Sequence, residues 1–350
     1  MKRIFTILSF LMVIMLSAWC FGSDKGSQPS STSAAKPAHE ILHVPVWTAP
    51  FGGINYIIAN AMSEIAKKSH PWLRFDVMET PGYIYNLNEL EKHPEQWDKV
   101  VIGSGICTVA LAEKGDPLFA KKVLGMRAIG GGALVPHGIV TFNPNIKTIA
   151  DLAGKKLGIG RKAQIGAGML HTYVLKYGWG ILDKIKVEFV GYTGAKEALL
   201  DGLVDACGIE VFVVPGTANE CYPSSALIEL IATGRPLYAI DYGKEQIEKT
   251  NAALGLNLAA IKIPAGSVKG LNREFHLFAD TWDEWVKDVF PEEIAYEITK
   301  LHLDHYPELV GYHAQGKAII PKSWLIGKTK RNTHPGAIRA YNEYGYTIPD

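Results

Sequence analysis

Apolar residues recur with two different periods near the start of the chain. Residues 41–47 and 73–79 are rich in β-branched and other apolar side chains and predict strands, whereas residues 54–68 place apolar side chains at helical spacing. A helix over 84–92 and a short strand over 100–105 continue this order. Because strands alternate with helices, the pattern predicts a parallel sheet with crossover helices, that is, an α/β fold.

A second set of alternating elements follows. We predict elements at 139–142, 148–154, 156–160, 167–177, 187–190, 194–202 and 206–214, and closing elements at 275–279, 292–305 and 335–344. Since the middle of the chain reads as a self-contained insert, we expect two α/β lobes, residues 40–142 with 275–350 and residues 143–274. Chain crossings near Phe142 and Phe275 would then form a hinge.

The first 39 residues differ from the rest of the chain. Lys2 and Arg3 precede an apolar run, which predicts a secretory signal peptide over residues 1–22 and a location in the periplasm. An uncleaved N-terminal anchor is the alternative. Residues 23–39 are rich in serine and predict a disordered tether. Cys20 leaves open whether the mature chain carries a lipid.

Bulk composition narrows the function classes. The chain has 350 residues, of which 36 are basic and 35 acidic, and its net charge is +1. Because a typical domain has about 150 residues, a chain of this length is expected to form roughly two domains. The near-zero net charge gives no electrostatic footprint for nucleic acid or for an anionic membrane. We therefore expect neither as a partner, and we expect a monomer.

The residues carry no signature of a resident cofactor or metal. Residues 158–163 match the dinucleotide pattern G-x-G-x-x-A, but residues 190–192 lack the acidic residue that would bind a ribose. The 11 histidines show no convincing ligand set with acids and cysteines, and His137 is interpreted as structural. Cys207 and Cys221 either pair or remain buried thiols. These observations favour binding over catalysis, with no cofactor.

Three loops follow predicted strands and precede predicted helices, at 48–53, 80–83 and 160–166. Ligands of open α/β sheets bind beyond the carboxyl ends of the strands, where helix N-termini present free N–H groups. Glycines there either let a ligand approach the backbone or only make tight turns. We expect a ligand cleft whose candidate residues are Gly52, Gly53, Tyr56, Thr80, Gly82, Tyr83, Tyr85, Asn86 and Ser104 on one wall, and Arg161, Lys162, Gln164, Glu210 and Phe212 on the other.

Charged residues of the second wall suggest what the ligand is. Arg161 is the sharpest candidate for an anionic group, because a guanidinium can hold a carboxylate through two parallel hydrogen bonds. A solvated surface arginine is the alternative, and Lys162 has the same ambiguity. Glu210 lies in an apolar strand and needs a partner, which is a ligand amine, Arg161 or solvent at the rim. The tyrosines would contact the body of the ligand.

Five segments in a fixed order carry a family resemblance. They are the glycine-tyrosine loop at 52–56, a counterpart of ST-G-G-S-x-x-N at 79–88, of DLKGKRVxxG at 148–160, of L-x-D-G-x-x-D-A at 201–206, and of HPGA at 334–338. Together they resemble the TAXI-type extracytoplasmic solute receptors of tripartite ATP-independent periplasmic (TRAP) transporters. The resemblance covers roughly residues 40–345.

This resemblance implies a class II periplasmic-binding-protein fold, capture of a small-molecule ligand between the lobes, delivery to TRAP permease subunits, and no enzymatic activity. The family's ligands lean to glutamate, glutamine and 2-oxo- or dicarboxylic acids. Two segments depart from the family where ligand contacts would be inherited. Residues 161–166 are more basic and bulkier than N-P-G-S-G-T, and residues 210–213 replace V-G-x-P. We therefore expect a small, carboxylate-bearing metabolite rather than glutamate itself.

Other functions fit the same residues. An ABC-type receptor for a phosphonate, a sulfonate or a thiamine precursor would share the fold. An enzyme on this bilobed fold would need an acid–base pair or a cofactor in the cleft. A surface-exposed lipoprotein is a further alternative. The sequence specifies neither the ligand nor the signal cleavage site.

Overall fold

Strands form the framework of the part of the chain that the computed structural model describes, residues 40–217 and 220–350. They are β1 (Leu42–Trp47), β2 (Leu73–Met78), β3 (Val101–Ser104), β4 (Met126–Thr141), β5 (Lys156–Ile159), β6 (Lys186–Phe189), β7 (Ala206–Val213), β8 (Cys221–Pro223), β9 (Tyr238–Ile240), β10 (Ala259–Ile263) and β11 (Phe275–Lys287).

Helices connect these strands and cover the sheet. They are α1 (Ile54–Ser69), α2 (Tyr83–Lys92), α3 (Ile106–Lys114), α4 (Leu170–Tyr173), α5 (Gly191–Leu200), α6 (Ser225–Ala232), α7 (Lys244–Leu254), α8 (Glu292–His305), α9 (Pro321–Trp324) and α10 (Pro335–Glu343). Wider π-helical turns, Ile165–Met169 and Val174–Gly178, flank α4. Short 3₁₀ turns lie at Pro94–Gln96, Ile149–Leu152, Leu182–Lys184, Tyr306–Gly311 and Ala314–Ala318.

Two parallel groups of strands are joined by two long antiparallel strands. The sheet has the order β2-β1-β3-β11-β4-β7-β5-β6, with β10, β9 and β8 added beside β11, β4 and β7. Strand β1 pairs parallel with β2 and β3, and β5 pairs parallel with β6 and β7. Strands β4 and β11 are antiparallel to each other and to their neighbours β7 and β3. This arrangement confirms the expected fold of two α/β lobes joined by shared strands.

The two joining strands are longer than the sequence predicts. Strand β4 begins at Met126 rather than residue 139, and β11 continues from Phe275 to Lys287 rather than ending at residue 279. Both strands are buried along nearly their whole length, so the alternation of polar and apolar residues that marks a half-exposed strand is absent. The predicted lobe crossings near Phe142 and Phe275 fall at the end of β4 and the start of β11, and the lobe boundaries remain a prediction.

An irregular register marks the middle of these two strands. Trp282 pairs with Ala133 and Glu284 pairs with Gly130, so the pairing shifts between them. A Cβ atom added to Gly132 would lie 1.6 Å from the carbonyl oxygen of Trp282. Only glycine fits at this position of β4, because the partner backbone occupies the space that any side chain needs.

Buried ion pairs fix the far half of β11 to its surroundings. Asp283 accepts a hydrogen bond from the Lys328 ammonium, and both side chains are almost wholly buried. Glu284 lies 2.9 Å from the imidazole Nε2 of the buried His302. Burial raises the pKa of Asp283, although the nearby Lys328 charge opposes that rise. The polar run in β11 is therefore compatible with a buried strand because its charges have partners.

Cys207 and Cys221 were candidates for a disulfide bond. Cys207 and Cys221 are free thiols, of which Cys207 is buried as expected whereas Cys221 is half-buried. Cys221 pairs in register with Val213, which places Cys207 six positions along the same strand, about 20 Å away and far beyond disulfide reach.

No helix among the described residues has the length and apolar character needed to cross a membrane. The predicted signal peptide, tether and Cys20 lie outside the described residues.

Candidate functional site

A cavity of about 560 Å³ opens where the strands of both parallel groups end. Its walls come from the loops that follow β1, β2, β5 and β6 and from side chains of β4, β7 and β11. The start of α6 and the residues His313 and Gln315 complete the lining. Its volume lies within the range of small-molecule sites, about 300–1,000 Å³. The strand ends thus meet where the sequence predicts a ligand cleft.

Four helices begin at this cavity without a side-chain cap. The residues before α1, α2, α5 and α6 are Gly53, Gly82, Val190 and Ser224, and none of their side chains accepts a hydrogen bond from the first turn. Free N–H groups and the helix dipole give each of these ends a partial positive charge. The backbone therefore favours an anionic group in the cavity.

The two walls touch at one point. Gly82 adopts φ 139°, a left-handed value that favours glycine, and a Cβ added there would lie 2.5 Å from the carbonyl oxygen of Ala163. Gly82 precedes α2, whereas Ala163 belongs to the loop after β5. The described conformation therefore brings the loops of both lobes into backbone contact.

Arg161 is an exposed residue on the cavity wall. Its backbone N–H donates to Oε1 of Gln164 over 2.7 Å, which holds the loop after β5 in a tight turn. The Arg161 side chain packs beside Gly191 at the start of α5. Among the described residues the guanidinium has no hydrogen-bond or ion-pair partner, so it is free to bind an anionic ligand group.

Glu210 forms a polar cluster with His137 and Tyr192. Its carboxylate lies 3.6 Å from Nδ1 of His137, and a 2.8 Å hydrogen bond joins that nitrogen to the Tyr192 hydroxyl. Burial raises the pKa of Glu210 to about 7, opposed by the hydrogen bond from Tyr192. Burial also lowers the pKa of His137 to about 3, so this imidazole is neutral at physiological pH. Glu210 therefore has no positive partner in the cluster.

Asp280 is a buried carboxylate that also lines the cavity. Its Oδ1 accepts hydrogen bonds from the backbone N–H groups of Cys107, at 3.0 Å, and Thr281, at 2.8 Å. Burial raises the pKa of Asp280 to about 6 in spite of these donors. Burial and the charges of Glu210, Asp280 and Asp283 also raise the pKa of the Tyr83 hydroxyl, which remains a neutral hydrogen-bond donor or acceptor.

Half of the predicted site residues line the cavity. Those that do are Gly52, Gly53, Gly82, Tyr83, Arg161, Gln164 and Glu210. Those outside the lining are Tyr56, Thr80, Tyr85, Asn86, Ser104, Lys162 and Phe212. The second group contains several residues that support the walls rather than face the cavity.

The supporting roles follow from hydrogen bonds and packing. Asn86 is fully buried and its amide donates to the carbonyl oxygens of Thr48 and Gly103 over 2.8 and 3.1 Å. Thr80 donates to the same Thr48 carbonyl over 3.0 Å. The Lys162 ammonium lies over the ring of Phe189, at 5.2 Å from its centre.

The remaining four have no place on the wall either. Ser104 and Phe212 are fully buried, Tyr56 packs against Phe51, and Tyr85 is 40% exposed. The side chains of these four predicted residues therefore do not line the cavity.

Several cavity residues were missed from the sequence. They include His137, Tyr192, Lys196, Ser224, Asp280, Trp282 and Gln315. Tyr192 follows β6 and could have been found by the rule that selected the other post-strand loops. Asp280 and Trp282 lie in the part of β11 that the pattern did not predict, so no local signal placed them.

Structural comparison finds several solved proteins to which the chain is similar. The chain is similar to MatC from Rhodopseudomonas palustris, solved with bound malate, at 14% identity over 80% of this chain and 90% of MatC, with a TM-score of 0.50. An R. palustris protein solved with adipate has 14% identity, covers 80% and 88%, and gives 0.49. The alkanesulfonate-binding protein SsuA from Xanthomonas axonopodis pv. citri, bound to MOPS, has 12% identity, covers 80% and 79%, and gives 0.43.

Sequence comparison adds the family. No curated protein matches the chain in sequence. A sequence profile of the NMT1-like family matches residues 46–345, which span both parallel strand groups and every loop of the cavity. Because this match covers most of the chain, the protein belongs to the NMT1-like family.

Proposed function

We propose that the protein is an exported, non-enzymatic solute receptor that captures a small, carboxylate-bearing metabolite in the cavity and delivers it to a TRAP permease. The observation that carries this proposal is the free guanidinium of Arg161 on a cavity wall where four uncapped helices begin. Malate and adipate bound to proteins of similar architecture are consistent with an organic acid as ligand. The TAXI-type segments of the sequence support the permease partner.

Ligand capture would depend on both walls at once. Arg161 and the start of α5 lie on one side, and the loops before α1 and α2 lie on the other. A ligand that bridges them interacts with both walls only when the lobes are close together, so it shifts the population toward the closed conformation. The permease would then recognise the closed form. The chain crossings near Phe142 and Phe275 would absorb the motion.

Replacing Arg161 with alanine is expected to weaken carboxylate binding about 10- to 100-fold, because hydrogen bonds to a charged group contribute about 1.5–3 kcal/mol. Lys162→Ala is the matched control, since it removes a positive charge from the neighbouring position but outside the cavity lining. Its affinity should stay within about twofold of the unmodified protein. Isothermal titration calorimetry measures both. Equal losses in the two variants would contradict a direct role for Arg161.

Replacing Gly82 with alanine is expected to weaken ligand binding about tenfold or more, because its Cβ would collide with the Ala163 carbonyl and hold the walls apart. Gly52→Ala provides the control. Gly52 also has a left-handed φ, 80°, and lines the same cavity, but a Cβ there meets nothing within 4 Å. Small-angle X-ray scattering with and without ligand would show whether Gly82→Ala still closes. A similar affinity in both variants would argue against the contact between walls.

A ligand screen tests the proposal as a whole. The screen ranks compounds by the increase in melting temperature that they cause. It compares acetate, pyruvate, succinate, 2-oxoglutarate and glutamate, and for each of them an amine and a sulfonate of similar size. Carboxylates should stabilise most. A sulfonate preference, together with a neighbouring gene for a transport ATPase instead of a TRAP permease, would favour the ABC-type alternative. Turnover of a bound compound would favour an enzyme.

A further inference from the structure

The charges of the cavity do not balance. Among the described residues, four carboxylates line it, from Glu79, Glu210, Glu229 and Asp280, against two permanent cations, from Arg161 and Lys196. Lys196 forms a salt bridge with Glu229, so its charge is already balanced. Glu79 is exposed and accepts a 2.9 Å hydrogen bond from the Phe51 backbone N–H. The half-buried Glu210 and the buried Asp280 remain without a cationic partner among the described residues.

The groups around Glu210 offer no compensating charge. From β4 it faces His137, which burial keeps neutral by lowering its pKa to about 3. From α5 it faces the Tyr192 hydroxyl, and from α2 the Tyr83 hydroxyl, and burial raises the pKa of both tyrosines. These neighbours can exchange hydrogen bonds with the carboxyl group but cannot neutralise its charge.

Within residues 40–217 and 220–350, the other elements packed on β7 also bring no free cation to Glu210. Beside β7, β8 carries the half-buried Cys221 and Tyr222, and the Lys317 ammonium of the adjoining 3₁₀ turn lies over the Tyr222 ring. Behind the cluster His171 is fully buried, and burial lowers its pKa well below the usual range. Helix α6 contributes Glu229, which pairs with Lys196. Of the two permanent cations that the described residues place on the cavity wall, Arg161 is the one without a partner.

An anion held by Arg161 would therefore share the cavity with two acids. Like charges in such a space repel strongly, and the repulsion is relieved when one acid binds a proton. Glu210 is the better proton acceptor of the two. Asp280 receives two backbone N–H bonds that favour its ionised form, whereas Glu210 has a single hydroxyl donor.

We propose that Glu210 takes up a proton when an anionic ligand fills the cavity, so that ligand capture is coupled to pH. This inference rests on the proposed function, since it needs an anionic ligand. The bound anion raises the pKa of Glu210 further above its value of about 7 in the empty cavity. The affinity for the anion is therefore highest below about pH 7, the pKa of Glu210 in the empty cavity. It falls as the pH rises above this value, by up to about tenfold per pH unit.

Calorimetry measures the proton directly. The carboxylate that stabilises the protein most is titrated at about pH 7.5 in triethanolamine and in Tris, whose ionisation enthalpies differ and which are not anions. The apparent binding enthalpies should differ in the sense of proton uptake, by about half a proton or more per ligand. Equal enthalpies in the two buffers, with an affinity that does not change between about pH 6.5 and 8.5, would overturn the proposal.

Variants assign the proton to a residue. Glu210→Gln keeps the size of the side chain and should abolish both the uptake and the pH dependence. Glu79→Gln removes an acid from the same cavity at an exposed position and should leave the pH dependence in place. Persistence of the pH dependence in Glu210→Gln, with its loss in Asp280→Asn, would overturn the assignment to Glu210.

Failure of the proposed function gives a different result. If no carboxylate binds, the same titrations are run with methanesulfonate and inorganic sulfate. Binding of either with proton uptake would support the coupling while contradicting the carboxylate ligand. Binding of no anion at all would contradict both proposals, whereas carboxylate binding without proton exchange contradicts the coupling alone.

Discussion

Replacing Lys328 with methionine is expected to lower the free energy of unfolding by about 3–5 kcal/mol, because it leaves a buried charge without a partner. The Lys328 ammonium donates to Asp283, and neither side chain is accessible to solvent. Burial already raises the pKa of Asp283, so without the lysine its carboxyl group should become protonated in the folded state at still higher pH. Chemical denaturation followed by circular dichroism measures the loss.

The pH dependence identifies the cause of this loss. A folded-state pKa above the unfolded value means that the deficit of the Lys328→Met variant is smallest at low pH and grows as the pH rises. Lys330→Met serves as the control, because Lys330 forms an exposed pair with Asp350 and should cost no more than about 1 kcal/mol. Adding Asp283→Asn to Lys328→Met should recover part of the stability. A deficit that is independent of pH would contradict the explanation by an unpaired charge.

Replacing Gly132 with alanine is expected to cost about 3 kcal/mol or more of folding stability, because the new methyl group would lie 1.6 Å from the carbonyl oxygen of Trp282. Neither atom can move alone, since both belong to the central strands β4 and β11. The melting temperature and the denaturation midpoint should both fall.

Gly311→Ala is the matched control for this substitution. Gly311 lies in the 3₁₀ turn Tyr306–Gly311, and a Cβ there meets nothing within 4 Å. Its stability should change by about 0.5 kcal/mol or less. If Gly132→Ala were as stable as Gly311→Ala, the close approach of β4 and β11 at the register shift would be absent in solution.

The outer elements of the fold were predictable from local pattern. Strands β1 and β2 and helices α1 and α8 lie within one or two residues of their predicted ends, because each has one buried and one more exposed side. Helix α7 and strands β9 and β10 had no assignment. The two strands β9 and β10 are short, three and five residues, and depend on pairing with β4 and β11 for their existence.

The central strands show why pattern alone was insufficient. Strand β4 contains Pro136 and the glycines at residues 130–132, residues that normally argue against a strand. Strand β11 contains Asp283 and Glu284, which local composition assigns to a loop. Distant residues, Lys328 and His302, make these charges compatible with burial, and no local pattern contains them.

The residues of the candidate site also fall into two groups, those with a local sequence signal and those that only the tertiary structure brings together. Arg161 and Gly82 could be selected because they lie between a strand and a helix, which is a local signal. Glu210 could be selected because a charge in an apolar strand is unusual. Its neighbour His137 could not, because it faces Glu210 only across the pairing of β4 with β7. That pairing joins residues 73 positions apart and is decided by tertiary structure.

The path of β4 and β11 through both lobes has a consequence for how the molecule unfolds. Strand β11 pairs with β4 along one edge and with β10 and then β3 along the other, and β4 also pairs with β7 and β9. Loss of either lobe would strip backbone partners from the strands that complete the other. Melting should consequently proceed as one cooperative event rather than as two independent transitions, despite the bilobed architecture.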